Sequence, residues 1–196
     1  MRYEPEHKQQ TRAKILRVAG RAIRAQGPHR VGVAEVMAKA GLTHGGFYAH
    51  FKSKDDLVSA AIEDMFASSR AGAILDNPDK SAAEALADYI DVYLGPAHRD
   101  APATGCPMAA LAADLPRLSQ PARERFAFGV AGIRARVARK LAEMGHTEPA
   151  TEAASMVSEM VGALSLARAE SDPATSDALL GASRAALKRR LLLEPK

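Results

Sequence analysis

An all-α fold is predicted for this chain, and three observations predict it. Hydrophobic residues make up 47% of the sequence and lean on alanine, the strongest helix former. Apolar residues return at intervals of three and four through most of the chain. No stretch alternates convincingly with the period of two that a half-buried strand shows. The periodic segments and their breakers divide into about nine helices.

The first helix is expected from near Gln10 to Gln26, with Ile15, Leu16, Ala19 and Ile23 as its buried stripe and Gly27-Pro28 as its stop. Glu35 to Ala40 has helical composition, with Val33, Val36 and Met37 at helical spacing. Gly41 offers the left-handed conformation that closes a helix, and Leu42 packs back on the preceding turn. Thr43 is suited to cap the next helix. Two short helices across a tight glycine turn form the helix-turn-helix pattern, whose second helix reads DNA.

That second helix is poor by propensity. Gly45 and Gly46 lie inside it, each costing about 1 kcal/mol relative to alanine. A helix that must approach a DNA backbone gains room from them. Phe47 and Phe51 are four apart and should face the core. Tyr48 and His50 then point elsewhere, each with a hydrogen-bonding tip. Ser53 is placed to cap a third helix running to about Ser69, with Asp56 three residues on. Lys52 and Lys54 stand where they reach phosphate.

Farther along, Asp76-Asn77-Pro78 reads as a turn and Ser81 with Glu84 as a capping box. The helix that follows buries Leu86, Tyr89, Ile90, Tyr93 and Leu94, and Gly95-Pro96 ends it. Another starts near Pro107, with Met108, Leu111, Ala112 and Leu115 on its apolar side. A long helix spans about Pro121 to Met144, with Phe126, Val130, Ile133 and Val137 inward and Gly145 as its stop. The last two run from about Glu148 to Glu170 and from Ala174 to Leu193. Met156, Val157, Met160, Val161 and Leu164 make a stripe on one, and Leu180, Leu187 and Leu191 on the other.

Charge agrees with a nucleic-acid partner. Residues 1–54 hold 11 Lys and Arg against 3 Asp and Glu, a balance of +8, while the remainder carries −4. A basic head on an acidic body is the electrostatic footprint of DNA binding. The single cysteine excludes an intrachain disulfide framework and suits a reducing cytoplasm. No apolar run approaches a membrane span, and MRYEPEHKQQ lacks the apolar core of a signal peptide.

The segment GLTHGGFYAHFKSKDDL resembles the recognition helix and following helix start of the TetR family of bacterial transcriptional regulators. The likeness spans about residues 10 to 60, with Gly41, Phe47, Tyr48, His50, Phe51, Ser53 and Lys54 where that family has its pattern. It implies an all-helical homodimer with a helix-turn-helix DNA-binding domain at 1–54 and an effector-binding and dimerisation domain at 55–196. It implies that Thr43, His44 and Gly45 face the major groove and that Tyr48, His50 and Lys54 contact phosphates. Gly32 stands where the family commonly has Ser or Thr as a cap; glycine is an acceptable cap, so one phosphate contact is weakened. The last two helices would pair with their copies in a four-helix interface. The residues alone leave open whether the two stripes face that interface or the monomer's own core.

Cys106, in Thr104-Gly105-Cys106-Pro107-Met108, precedes a helix start with Pro107 at its first position. A thiol at that cap meets the positive end of the helix dipole, which favours thiolate. The surrounding GCPMAALAADLPRLSQPAR resembles a TetR branch that includes regulators of electrophile and oxidant defence. There the cysteine after glycine is the sensor and a later helix supplies a basic residue, here matched by Arg168. The other reading is a small structural hydrophobe. Tyr89 and Tyr93 could reach an effector through their hydroxyls or simply pack in the core. His98 and His146 lack a second ligand at metal-like spacing and read as solvated. The cluster Arg134, Arg136, Arg139 and Lys140 reads as a solvated helix face, and Lys188-Arg189-Arg190 as a charged helix end.

No phosphate loop, metal pair or nucleophile constellation appears, so an enzyme is disfavoured and neither cofactor nor metal is expected. The expected function is a homodimeric repressor, released from a palindromic double-stranded operator by a small-molecule or thiol-reactive inducer. The alternative is an architectural DNA-binding protein without an effector, against which the large second domain argues. Base readout is thin, because the recognition helix offers no Arg, Asn or Gln and leaves Thr43 and His44 as the clear candidates.

Overall fold

The computed structural model describes residues 3–193; the outermost ends of the two expected domains lie outside them. Among the described residues there are ten α-helices, three short 3₁₀ helices and no strand. The chain forms two compact units. The first joins the residues up to Ser68 with Ala103–Gly129, and the second joins Ser69–Pro102 with the residues from Val130 onward. The chain therefore leaves the first unit, re-enters it at Ala103 and leaves again after Gly129. Compactness groups the chain differently from the expected division at 54/55.

In the first unit, α1 (Tyr3–Gln26) packs on α2 (Val33–Lys39) and α3 (Lys54–Ala67). Ile15, Ala19 and Ile23 are fully buried, while Leu16 is only half-buried at the edge of the stripe. Helix α1 begins seven residues earlier than the periodicity indicates, because polar residues add turns without an apolar stripe. Helix α2 ends in a Schellman motif. Gly41 takes φ +69°, its amide donates to the Ala38 carbonyl at 2.9 Å, and the Leu42 amide donates to Met37 at 2.9 Å.

Between α2 and α3 lies not an α-helix but a six-residue 3₁₀ helix, His44–Ala49. Two glycines in six residues remove most of the α-helical preference, and a tight 3₁₀ turn suffices for so short a piece. Thr43 is its N-cap residue but makes no side-chain capping bond, contrary to expectation. Ser53 does cap α3, accepting from the Asp56 amide at 3.1 Å. The Asp56 carboxylate returns to the Lys52 amide at 2.9 Å, one residue earlier than a capping box would use.

In the second unit, α4 (Arg70–Leu75) and α6 (Pro96–Arg99) are short helices that the sequence pattern did not indicate, since six and four residues are too few to show a period. Between them, α5 (Ala82–Tyr93) starts from the expected Ser81–Glu84 capping box and buries Leu86, Tyr89, Ile90 and Tyr93. Helix α7 (Pro107–Leu111) belongs to the first unit and is shorter than expected, leaving Ala112 exposed and Leu115 half-buried. Helix α8 (Gln120–Glu143) closes at Gly145, φ +87°. Helices α9 (Pro149–Ala169) and α10 (Pro173–Arg190) pack on each other.

The two stripes left open by the sequence face inward. Met156, Val157, Met160, Leu164, Leu180, Leu187 and Leu191 are buried within the protomer, and Val161 is half-buried. Among the described residues no helix is long and apolar enough to cross a membrane.

Gly41→Ala tests the turn that sets the helix-turn-helix angle. Its left-handed backbone is expected to cost a Cβ-bearing residue about 1–2 kcal/mol, read as a lower urea midpoint with an unchanged slope.

Candidate functional site

The 3₁₀ helix His44–Ala49 divides its residues sharply between inside and outside. Phe47 and Phe51 are buried and stacked, with ring centroids 5.6 Å apart. Tyr48 between them is 69% exposed, although it is large and aromatic. Its ring stands edge-on to Phe47 at 5.3 Å and to His44 at 6.4 Å. Thr43, His44 and Gly45 are exposed beside it. A Cβ at Gly45 would meet nothing within 4 Å, and neither would one at Gly32. Nothing inside the protomer demands glycine at either position.

A residue that the sequence did not single out holds this helix from behind. The Arg12 guanidinium lies over the Phe51 ring, 4.3 Å from its centroid, and donates to the His50 carbonyl. One side chain of α1 thus combines a cation–π contact with a cap on the end of the 3₁₀ helix. A lone Arg on a basic helix carries no distinguishing sequence signal. Burial lowers the His50 pKa, and the positive charges of Lys8 and Arg12 push it the same way. Its Nδ1 is buried with no hydrogen-bond partner among the described residues.

The expected phosphate-reaching lysines differ in setting. Lys52 is exposed, whereas Lys54, at the first position of α3, donates to the His29 carbonyl at 3.0 Å. Its ammonium keeps two further donors. Lys54 and His29 line an open cleft of about 330 Å³ with Pro28, Val58, Arg117 and Leu118.

The effector candidates fall in two places. Tyr89 and Tyr93 are buried and meet edge to face, with centroids 5.9 Å apart. His98 stands edge-on to Tyr93 at 4.8 Å, with its Nδ1 2.7 Å from the Tyr93 carbonyl. Arg168 donates to the carbonyls of His98 at 2.8 Å and Arg99 at 3.2 Å. Tyr89, Tyr93 and Arg168 therefore join one network in the second unit, through a histidine that had been expected in solvent. His146 is likewise not solvated: its Nδ1 lies 2.6 Å from Glu152, and only 12% of the side chain is exposed. The expected solvated face on α8 is partly committed too, because Arg136 and Arg139 both pair with Asp76. At the end of α10, Lys188 bonds Asp91 at 2.6 Å and Arg190 bonds Glu159 at 2.8 Å.

Cys106 belongs to the first unit, half-buried at the N-cap of α7. With five residues, α7 carries only a short dipole. In the same unit, Arg24 donates from Nε to the Ala103 carbonyl at 2.9 Å. Burial lowers the Arg24 pKa, opposed chiefly by the negative charge of Asp64.

A short exposed reading helix braced by two buried phenylalanines, in a basic N-terminal segment, defines a helix-turn-helix DNA-binding regulator. Comparison with known proteins gives the family. Residues 15–61 match the family of bacterial regulatory proteins, tetR family, and residues 82–187 match the tetracyclin repressor-like C-terminal domain. The chain belongs to the TetR family. A stretch of 65 residues is 37% identical to the HTH-type transcriptional regulator TtgR of Pseudomonas putida and spans 33% of this chain and 31% of that one. The solved structure of reduced NemR from E. coli superposes with a TM-score of 0.81 at 22% identity, covering 92% of this chain and 96% of that one. A TetR-family regulator from Agrobacterium tumefaciens gives 0.78 at 25% identity, over 93% and 98%.

His98 supplies a pH test. Burial holds its pKa below the ordinary histidine value, so the unfolded chain binds more protons between that lowered value and about 6.5. Stability is full above this window and falls as pH drops through it. His98→Phe is expected to flatten the fall in urea-unfolding free energy without abolishing it, because His50 is shifted the same way.

Proposed function

We propose that this protein is a homodimeric transcriptional repressor that binds a palindromic operator and leaves it when an effector occupies or modifies the second domain. Residues 1–54 read DNA, and residues 55–196 bind the effector and dimerise. The observation that carries this is the exposed Tyr48 beside open Gly45, on a helix whose Phe47 and Phe51 are fully committed to the core. A large ring held out by two buried neighbours is poised for a partner surface. Thr43 and His44 face base edges, Tyr48, His50, Lys52 and Lys54 grip phosphates, and glycine at 32 and 45 admits the backbone.

Dimerisation uses the outer faces of α9 and α10, since their apolar stripes are spent inside the protomer. Ser158, Gly162, Ser165 and Ala169 leave the exposed side of α9 low, and Leu166 stands 61% exposed among them. Small residues let helices approach closely. A two-fold axis then sets the two reading helices about 34 Å apart, one turn of DNA. Leu166→Glu should convert the dimer to monomer at micromolar concentration in sedimentation velocity; a stable dimer in that variant would place the interface elsewhere.

Release is a population shift: the effector binds more tightly to a dimer whose reading helices do not fit the half-site spacing. Cys106 serves an effector with an activated carbon–carbon double bond by conjugate addition: its sulfur bonds one carbon, the π bond breaks, and the thiol proton ends on the neighbouring carbon. The Tyr89–Tyr93–Arg168 network serves a non-covalent one. The protein would act in the cytoplasm, where its DNA is.

The test is binding to the DNA upstream of the protein's own gene at fixed salt, with and without N-ethylmaleimide. Wild type should release and Cys106→Ser should stay bound; equal behaviour assigns Cys106 a structural role. On the DNA side, Lys54→Ala should weaken all sequences alike and reduce the salt slope by about 1. Tyr48→Phe should also act uniformly. His44→Ala should instead reorder preference among sites, and an unaltered preference would remove His44 from base readout.

A further inference from the structure

The segment from Ala103 to Gly129 belongs by compactness to the DNA-reading unit, although the chain on both sides of it belongs to the other unit. Both of its ends are gripped. At the first, Arg24 of α1 donates to the carbonyl of Ala103 at 2.9 Å, across 79 residues of sequence. At the last, Gly129 lies against the Phe66 ring of α3, so closely that a Cβ would come within 2.3 Å of it. Between them, Arg125 pairs with Glu63 of α3. Arg117 and Leu118 share the cleft that holds Lys54 and His29. The segment therefore contacts the end of α1 and the last turns of α3, and lines a cleft with the turn after α1 and the start of α3.

We propose that Arg24 is a positioning residue that ties α1 to the point where the chain re-enters the DNA-reading unit, and so passes a change of state at residues 103–106 to α1. This rests on the effector-released reading given above and names the residue that couples the two events. The choice of side chain supports it. An arginine near the end of a basic helix has water available, yet Arg24 is half-buried and directs its Nε at the Ala103 carbonyl. Its planar fork fixes direction as well as charge, which lysine does not. The sole covalently modifiable thiol of the chain lies three residues beyond the gripped carbonyl.

Amide hydrogen exchange tests this without DNA. Wild type and Arg24→Ala are compared before and after alkylation of Cys106 by iodoacetamide. Cys106→Phe, in both backgrounds, places bulk at the same point without a reaction. In wild type, both perturbations should speed exchange of residues 16–27 by about fivefold or more, the lower end of ordinary allosteric coupling. In Arg24→Ala those amides should start faster, and the same perturbations should add less than about twofold. A structural role alone predicts the faster start but not the lost response. Unchanged exchange at 16–27 in perturbed wild type overturns the proposal, as does an equal response in Arg24→Ala. DNA binding measured in parallel separates the two readings. Release without a change at α1 sinks the Arg24 relay alone, and a change at α1 without release sinks the thiol-released repressor alone.

Discussion

The structure of the reader depends on the burial of two rings. A six-residue 3₁₀ helix with two glycines has no stability of its own. It exists because Phe47 and Phe51 are stacked in the core and Arg12 closes over Phe51 from α1. Everything exposed on that helix inherits its direction from those contacts. The Schellman turn at Gly41 then fixes the angle at which α2 delivers it. Function at this surface is thus built on rigid anchors, with the polar tips left outside.

The same logic extends through the rest of the first unit. Segment 103–129 completes its packing, and its ends are the crossings between units. Within the first unit, a directed hydrogen bond from Arg24 holds one end of the segment and the Phe66 ring packs against Gly129 at the other. Packed cores respond to displacement by switching between discrete arrangements rather than by bending.

The second unit is knit by polar contacts among Tyr93, His98, Arg99 and Arg168. Arg168 spends its guanidinium on two backbone carbonyls, and His98 spends its ring on Tyr93. Any group that used these side chains would have to replace bonds they already make, and a buried donor left without its partner is costly. The apolar stripes of α9 and α10 are consumed internally, and small residues leave the exposed side of α9 low.

Sequence by itself determined the fold class, the helix-turn-helix, its glycine turn, the capping at Ser53 and Ser81, and the family. The turn and the caps are local, each depending on residues within about four positions, and the fold class and family are the same local patterns repeated along the chain. Only the tertiary structure decided that the reading helix is 3₁₀, that Thr43 makes no capping bond, and which way the stripes of α9 and α10 face. An apolar stripe reports that a face is buried, not against what. Likewise His98 and His146 looked solvated because their partners, Tyr93 and Glu152, are set by folding and not by ligand-like spacing. Arg12 and Arg24 carried no sequence signal at all. A basic helix displays its arginines alike, and only packing across 38 and 79 residues singles out two of them.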